Sequence, residues 1–366
     1  MINNQLFEKE TSVRDDRFGP AQENGEGEGH SELWTRDGFN GASSMVVRPH
    51  YAPAYLSAQG LHVPRRFQIG KLAAPGSDDP SVLPLQVARS RGGVYLSVVS
   101  LSLPMPYVVR NVEADELHFV HHGELKFETD CGVLVASAGD FVCIPRSVAY
   151  RITPLSGPTQ SFILESASPL RLNPQTSSGM INIARDVHYP RIEAPVPGEG
   201  ETTLVLKAED GPTIYRLPQD PLAAMAHVYG SAPVWKLNLA NVQVGTYLPH
   251  GGPPFQFLTS DDGQVMLYTL SARITQRPPI HVNADFDEVV FYHRGPGAWG
   301  EVSEPGTVSI VPKGVIHQGP SEQVEEGYLA WLLETRPTLR LTPAALEASV
   351  LLETSLYGVH PSEQHG

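Results

Sequence analysis

Short runs in which apolar and polar positions alternate recur along most of this chain, with the period of two that a half-buried strand requires. In the first half they include Val94-Tyr95-Leu96-Ser97-Val98-Val99-Ser100-Leu101, Leu117-His118-Phe119-Val120-His121 and Leu125-Lys126-Phe127-Glu128. In the second half they include Thr203-Leu204-Val205-Leu206, Val265-Met266-Leu267-Tyr268-Thr269-Leu270, Val289-Val290-Phe291-Tyr292 and Val308-Ser309-Ile310-Val311. Their β-branched and aromatic content predicts strands. Between the two groups the pattern lapses: Pro154, Pro158, Pro169, Pro174, Pro190, Pro195 and Pro197 predict a connecting stretch. One helix is predicted near the end, with Thr342 as cap and Pro343 at the first helical position. Leu346, Val350, Leu351 and Tyr357 would form its apolar face before Gly358. The expectation is an all-β protein of two barrels with a short C-terminal helix. Its parts are an arm and leading strands over 1–60, a first barrel over 61–160 and a Pro-rich linker over 161–200. A second barrel over 201–335 and a helix and tail over 336–366 complete it.

The two strand groups carry the same punctuation. In the second, Glu288 is followed after six residues by Gly295, and later Gly306 leads through Pro312 and Gly314 to His317. In the first, Glu116 precedes Gly123 by the same interval, and Gly139 leads through Pro145 and Ser147 to Tyr150. Upstream, Asn111-Val112-x-Ala114-Asp115 can be set against His281-Val282-x-Ala284-Asp285, which pairs Asn111 with His281 and gives the second copy two extra residues before its glutamate. On this reading the first copy lacks both imidazoles, and the second keeps His281, Glu288 and His317.

Those three residues suit a metal. His281 and Glu288 are seven positions apart, so on one straight strand they would face opposite sides. A turn within Asn283-Ala284-Asp285-Phe286-Asp287 is therefore required, which lets His281 end one strand and Glu288 begin the next. His317 arrives from a third segment after the Pro312-Lys313-Gly314 turn. Two neutral imidazoles and a carboxylate suit Fe(II) with coordination positions left for reactants, and Mn(II) or Zn(II) fits the same ligand types. No thiolate lies near to suggest structural zinc. Glu116, lacking such companions, reads as structural, and Asp285 and Asp287 read as solvated or turn-forming.

Composition narrows the setting. The chain has 366 residues, 33 each of Gly and Pro, and a formal net charge of −14. That charge argues against a nucleic-acid partner. The N-terminal sequence has no apolar run of signal-peptide length, and no stretch approaches the ~20 apolar residues of a membrane span. With only Cys131 and Cys143, a cytoplasmic setting is expected. Gly295-Pro296-Gly297-Ala298-Trp299-Gly300 fits a dinucleotide-binding spacing but lacks the following helix that would hold a pyrophosphate.

The glutamate-glycine and Gly-x5-Pro-x-Gly-x2-His elements resemble those of the cupin family, here as two jelly-roll barrels in one chain. Arg277-Pro278-Pro279-Ile280-His281-Val282-Asn283, Glu288, Arg294-Gly295 and His317-Gln318-Gly319-Pro320 are similar to runs of homogentisate 1,2-dioxygenases. So are Thr35-Arg36-Asp37-Gly38-Phe39-Asn40-Gly41 and Arg48-Pro49 near the start. The resemblance covers roughly residues 31–335. It implies an Fe(II) enzyme that opens a dihydroxylated aromatic ring with O2, with His281, Glu288 and His317 as ligands. His250, in Pro249-His250-Gly251-Gly252-Pro253, would be the catalytic group that moves a phenolic proton. Asn283, Arg294 and Trp299 would bind substrate, and a homo-oligomer is implied. The family's tyrosines after the Arg-Pro-Pro run and the Arg-Gly pair are replaced by Ile280 and Gly297, where the substrate side chain would sit. Another para-hydroquinone or ortho-hydroxylated aromatic therefore remains open. A metal-dependent isomerase or decarboxylase, or a non-enzymatic ligand-binding bicupin, is the alternative.

Overall fold

The computed structural model describes residues 30–39, 41–48, 59–73, 82–193, 200–230, 234–244, 254–271, 280–295, 304–317 and 328–352. They form two jelly-roll lobes of largely antiparallel strands, with two short α-helices, Ile183–Asp186 and Pro343–Ala348. No described helix is long and apolar enough to cross a membrane.

The long strands Asp115–Thr129 and Ala149–Ser166 centre the first lobe's sheet, and Asp287–Arg294 and Leu329–Thr335 hold the same places in the second. Outward from these, the two sheets run in the same strand order, eight places matched by eight. The repeat therefore extends well beyond the motif region seen in the sequence.

Each repeat gives its leading segment to the other lobe. The hairpin His30–Thr35/Ser43–Arg48 is the first of the described elements yet pairs in parallel with His281–Asn283 of the second lobe. Its counterpart, the hairpin Thr202–Ala208/Gly211–Leu217, pairs in parallel with Val108–Asn111 of the first. Strand Arg65–Gln68 joins Thr307–Val311, and Trp235–Asn238 joins Asp140–Ile144. Trailing strands cross as well: Leu170–Leu172 pairs with Phe255–Ser260, and Arg340–Leu341 with Leu85–Arg89. The stretch expected as a linker over 161–200 thus contributes strands to the sheets. The expected boundary at 201 does not separate the lobes, because the hairpin after it belongs with the first. The reason is burial: Phe67, Ile69, Leu237 and Leu239 on the exchanged segments are sealed in one core with Val87, Phe119 and Phe291. Sealing such side chains is worth about 1.5–3 kcal/mol each.

The seam between lobes is aromatic and pseudo-twofold. Phe119 meets its own counterpart Phe291 edge-on at 5.3 Å, and Phe291 stacks on Trp331 at 5.4 Å. His121 meets its counterpart His293, Nδ1 to Nδ1 at 3.0 Å. Gly123 and Gly295, the motif glycines, both have positive φ (83° and 94°). A Cβ on Gly295 would lie 2.5 Å from the Tyr328 backbone, so the bend after the glutamate strand admits glycine there.

The predicted C-terminal helix is shorter than its apolar spacing suggests. It ends at Ala348, and Val350–Leu351 is extended and pairs with Arg65–Arg66. Edge pairing takes the backbone groups that another helical turn would have used. Thr342 does not cap with its side chain; its hydroxyl donates to the Gln86 carbonyl at 2.8 Å, tying the helix to the first lobe. Tyr357 and Gly358 lie outside the described residues.

Candidate metal centre

The turn demanded between His281 and Glu288 is present, with one strand ending at Asn283 and the next beginning at Asp287. His317 is held beside His281 by a reciprocal backbone bridge, N to O at 2.8 and 3.0 Å. The imidazoles lie 4.2 Å apart between centroids. Glu288 Oε2 is 3.2 Å from His317 Nε2 and 3.5 Å from His281 Nε2. One donor atom from each residue lies within 4.8 Å of the others, and all three side chains are buried.

This donor set fits a divalent cation. Ligand atoms about 2.1 Å from an ion and at right angles to one another lie about 3 Å apart, close to the 3.2 and 3.5 Å between Glu288 Oε2 and the two imidazole nitrogens. His317 Nδ1 faces the Val315 carbonyl at 3.0 Å, so Nδ1–H donates outward and Nε2 is the atom left toward Glu288 and His281, where it would offer its lone pair to a bound cation. Asn283 Nδ2 donates to Glu288 Oε2 at 2.9 Å, and Thr35 Oγ1 donates to Asn283 Oδ1 at 2.8 Å. Burial opposes ionisation of Glu288, but His317 and His281 outweigh it and hold the carboxyl well below its usual range. Burial lowers His317, and Glu288 and the Val315 carbonyl more than reverse this. Glu334, across the sheet from Glu288, is pushed up to about 8 by burial and by Glu288's charge, and accepts from Tyr268 Oη at 2.9 Å.

The first lobe answers each of these positions. Asn111 Nδ2 donates to Glu116 Oε1 at 2.9 Å, as Asn283 does to Glu288. The Asn111 carbonyl accepts from Ser147 N at 2.7 Å and the Asn283 carbonyl from Gly314 N at 2.8 Å. Asp115 and Asp287 bind the turn amides of Arg146 and Lys313 and, with the other oxygen, the amides of Leu170 and Leu339. These contacts correct the alignment by residue likeness. Asn111 corresponds to Asn283, not to His281, and no residues are inserted before Glu288. His281 answers to Val109, which bridges Tyr150 as His281 bridges His317. Asp287, expected to be solvated or turn-forming, is buried and clamps two segments, as Asp115 does.

Glu116 is not bare. Lys207 Nζ lies 2.9 Å from Glu116 Oε1 and 2.7 Å from Glu165 Oε1, Tyr150 Oη donates to Glu116 Oε2 at 2.6 Å, and His118 Nε2 lies 3.2 Å from the same oxygen. Glu165 faces Glu116 across the sheet as Glu334 faces Glu288. Burial works against a charged Glu116, but Lys207, His118 and Tyr150 hold it well below the ordinary range. Burial also opposes Lys207's charge, yet the two carboxylates raise its pKa. Sequence reasoning missed Lys207, whose only signal is a lysine closing the apolar run Leu204-Val205-Leu206.

Of the residues expected to bind substrate, Asn283 is engaged with Glu288 and Thr35, and Arg294 is exposed at the end of its strand. Trp299 lies outside the described residues, as does His250. Phe39, from the N-terminal arm, packs 5.8 Å from His281 and 5.4 Å from Tyr268 between ring centroids.

A family model described as homogentisate 1,2-dioxygenase N-terminal matches residues 86–208. A protein of Saccharolobus solfataricus whose name calls it a dioxygenase is 25% identical over 236 residues, covering 60% of this chain and 59% of that protein. A homogentisate 1,2-dioxygenase of Pseudomonas putida is 27% identical over 299 residues, covering 72% of this chain and 67% of that one. The chain thus spans about 59% of the length of the first relative. Among solved structures, a variant of Bacillus subtilis oxalate decarboxylase aligns with a TM-score of 0.38 at 12% identity, covering 82% of this chain and 81% of that one.

Proposed function

We propose, from the premise that the chain is a homogentisate 1,2-dioxygenase-like cupin, that its second lobe holds one Fe(II) on His281, Glu288 and His317 and opens a dihydroxylated aromatic ring with O2. The observation that carries the reading is the convergence of two buried imidazoles and an oriented carboxylate in one lobe, while the other supplies its own cation. Fe(II), when bound, supplies positions at which an electron-rich ring and O2 can meet. The protein's part is positional. Asn283 fixes the Glu288 carboxylate, the Val315 carbonyl fixes the His317 tautomer, and all three ligand side chains are buried from bulk water. His250 is assigned, by resemblance, the removal of a phenolic proton as the ring binds, a role an imidazole suits near neutral pH.

Homogentisate, or a relative differing where Ile280 and Gly297 stand, is the proposed substrate. A cytoplasmic homo-oligomer belongs to the same proposal; Cys131 and Cys143, both buried and free, are consistent with a reducing compartment. The test is anaerobic loading with Fe(II), followed by O2 uptake with homogentisate, gentisate and hydroquinone. Uptake with one of them, with both oxygen atoms recovered in a ring-opened product, is expected. Bound metal without uptake on any dihydroxylated ring would favour an isomerase or decarboxylase instead.

A further inference from the structure

The two lobes differ most tellingly at one position of the exchanged hairpins. In the first lobe, Val205 pairs with Val109 and Lys207 with Asn111. In the second, Leu33 pairs with His281 and Thr35 with Asn283, in the same parallel sense. Since Asn111 answers to Asn283, Lys207 and Thr35 hold the same place on equivalent strands. Around that place the carboxylates match as well, Glu116 with Glu288 and Glu165 with Glu334.

The two side chains treat the carboxylates differently. Lys207 reaches past Asn111 and sets its ammonium on both Glu116 and Glu165. The Thr35 hydroxyl stops at Asn283 Oδ1 and turns that amide so that Nδ2 donates to Glu288. The first lobe thus brings its own cation on a donated hairpin. The second brings a short hydroxyl that orients a candidate ligand and adds no charge.

The geometry points to Thr35 as the positioning residue that decides whether the second lobe accepts a divalent cation, with Lys207 the built-in cation that closes the first. This rests on the metal reading above. The N-terminal hairpin is then part of the metal centre although some 250 residues separate it from the ligands in sequence. Its identity at one position sets cation selectivity: ammonium from the chain, or metal from solution.

The test exchanges that one position. Wild type, Thr35→Ser and Thr35→Lys are loaded anaerobically with Fe(II) and, separately, with Zn(II), then desalted, and bound metal is counted per chain beside a thermal melt. Wild type and Thr35→Ser should each hold one ion. Thr35→Lys should melt cooperatively and lose bound metal roughly ten-fold or more, the scale on which groups behind metal ligands act. Equal loading of Thr35→Lys and wild type overturns the inference and leaves the metal reading standing. A wild-type chain that takes up neither ion overturns the metal reading and the inference with it. Should Thr35→Lys not melt cooperatively, Thr35→Val decides, since it keeps the size and removes the hydroxyl. It should release metal to a chelator roughly ten-fold more readily than wild type, with Thr35→Ser restoring retention, and equal retention by Val and Ser overturns the inference.

Discussion

At the residue scale, the chain shows two ways to stabilise a buried carboxylate in one backbone frame. Glu288 is flanked by two imidazoles and an amide, and Glu116 by an ammonium, a phenol, an amide and the single imidazole of His118. Removing a partner should cost more in the first lobe, where the charges are already paired within the protein. Lys207→Met leaves Glu116 and Glu165 facing each other without the ammonium that bridges them, and a loss of about 3–5 kcal/mol in urea unfolding is expected. Tyr150→Phe removes one hydrogen bond to a charged acceptor and should cost about 1.5–3 kcal/mol. A Lys207→Met protein as stable as wild type would show that the pair does not depend on its ammonium. In the second lobe, Asn283→Ala should leave the fold in place. It should weaken metal retention by about 10- to 100-fold in chelator competition, because Glu288 loses the donor that aims it.

At the scale of elements, the strands and the three-segment site were legible because their signals are local. Alternation marks the strands, and Gly and Pro punctuate the turns that bring His281, Glu288 and His317 together. What stayed hidden lies in contacts between distant segments. Lys207 sits on an ordinary strand with no motif around it, and Thr35 opens a run whose resemblance gives it no role of its own; the roles of both come from pairing with segments 91 and 248 positions away. The alignment of Asn111 with His281 failed for a related reason. Similar residue strings suggested it, whereas hydrogen bonds to the glutamate and the turn define the true register. The helix failed at its end because Val350 and Leu351 found a strand to pair with. The glycine of the repeated frame offers a check on element geometry. Gly295→Ala places a Cβ against the Tyr328 backbone at a positive φ, and should destabilise by about 1–3 kcal/mol, read as a lowered melting temperature. An unchanged melt would mean the bend relaxes freely.

At the scale of the molecule, exchange of segments makes each lobe depend on the other, so heat or urea should unfold them together. The seam contains a pair that ties this cooperativity to pH. His121 and His293 meet through their Nδ1 atoms, so one N–H donates to the other's lone pair and at least one ring is neutral. Burial, then the neighbouring charge of His122, lowers His121 to about 4. Burial, then His121 and Arg294, lowers His293 to about 3. Both folded values lie below the ordinary value of about 6.5, so the unfolded chain binds more protons between these limits. The pair's contribution is therefore complete above pH about 6.5 and is lost as pH falls through about 4 and then about 3. The expected outcome is an acid limb of stability whose slope reflects uptake of up to two extra protons at this seam. Replacing both rings by Phe, which keeps the edge-on aromatic packing with Phe119 and Phe291, should flatten that limb and move the acid midpoint lower. An acid limb of unchanged slope in the double variant, measured by urea unfolding between pH 3 and 7, would place the protons elsewhere.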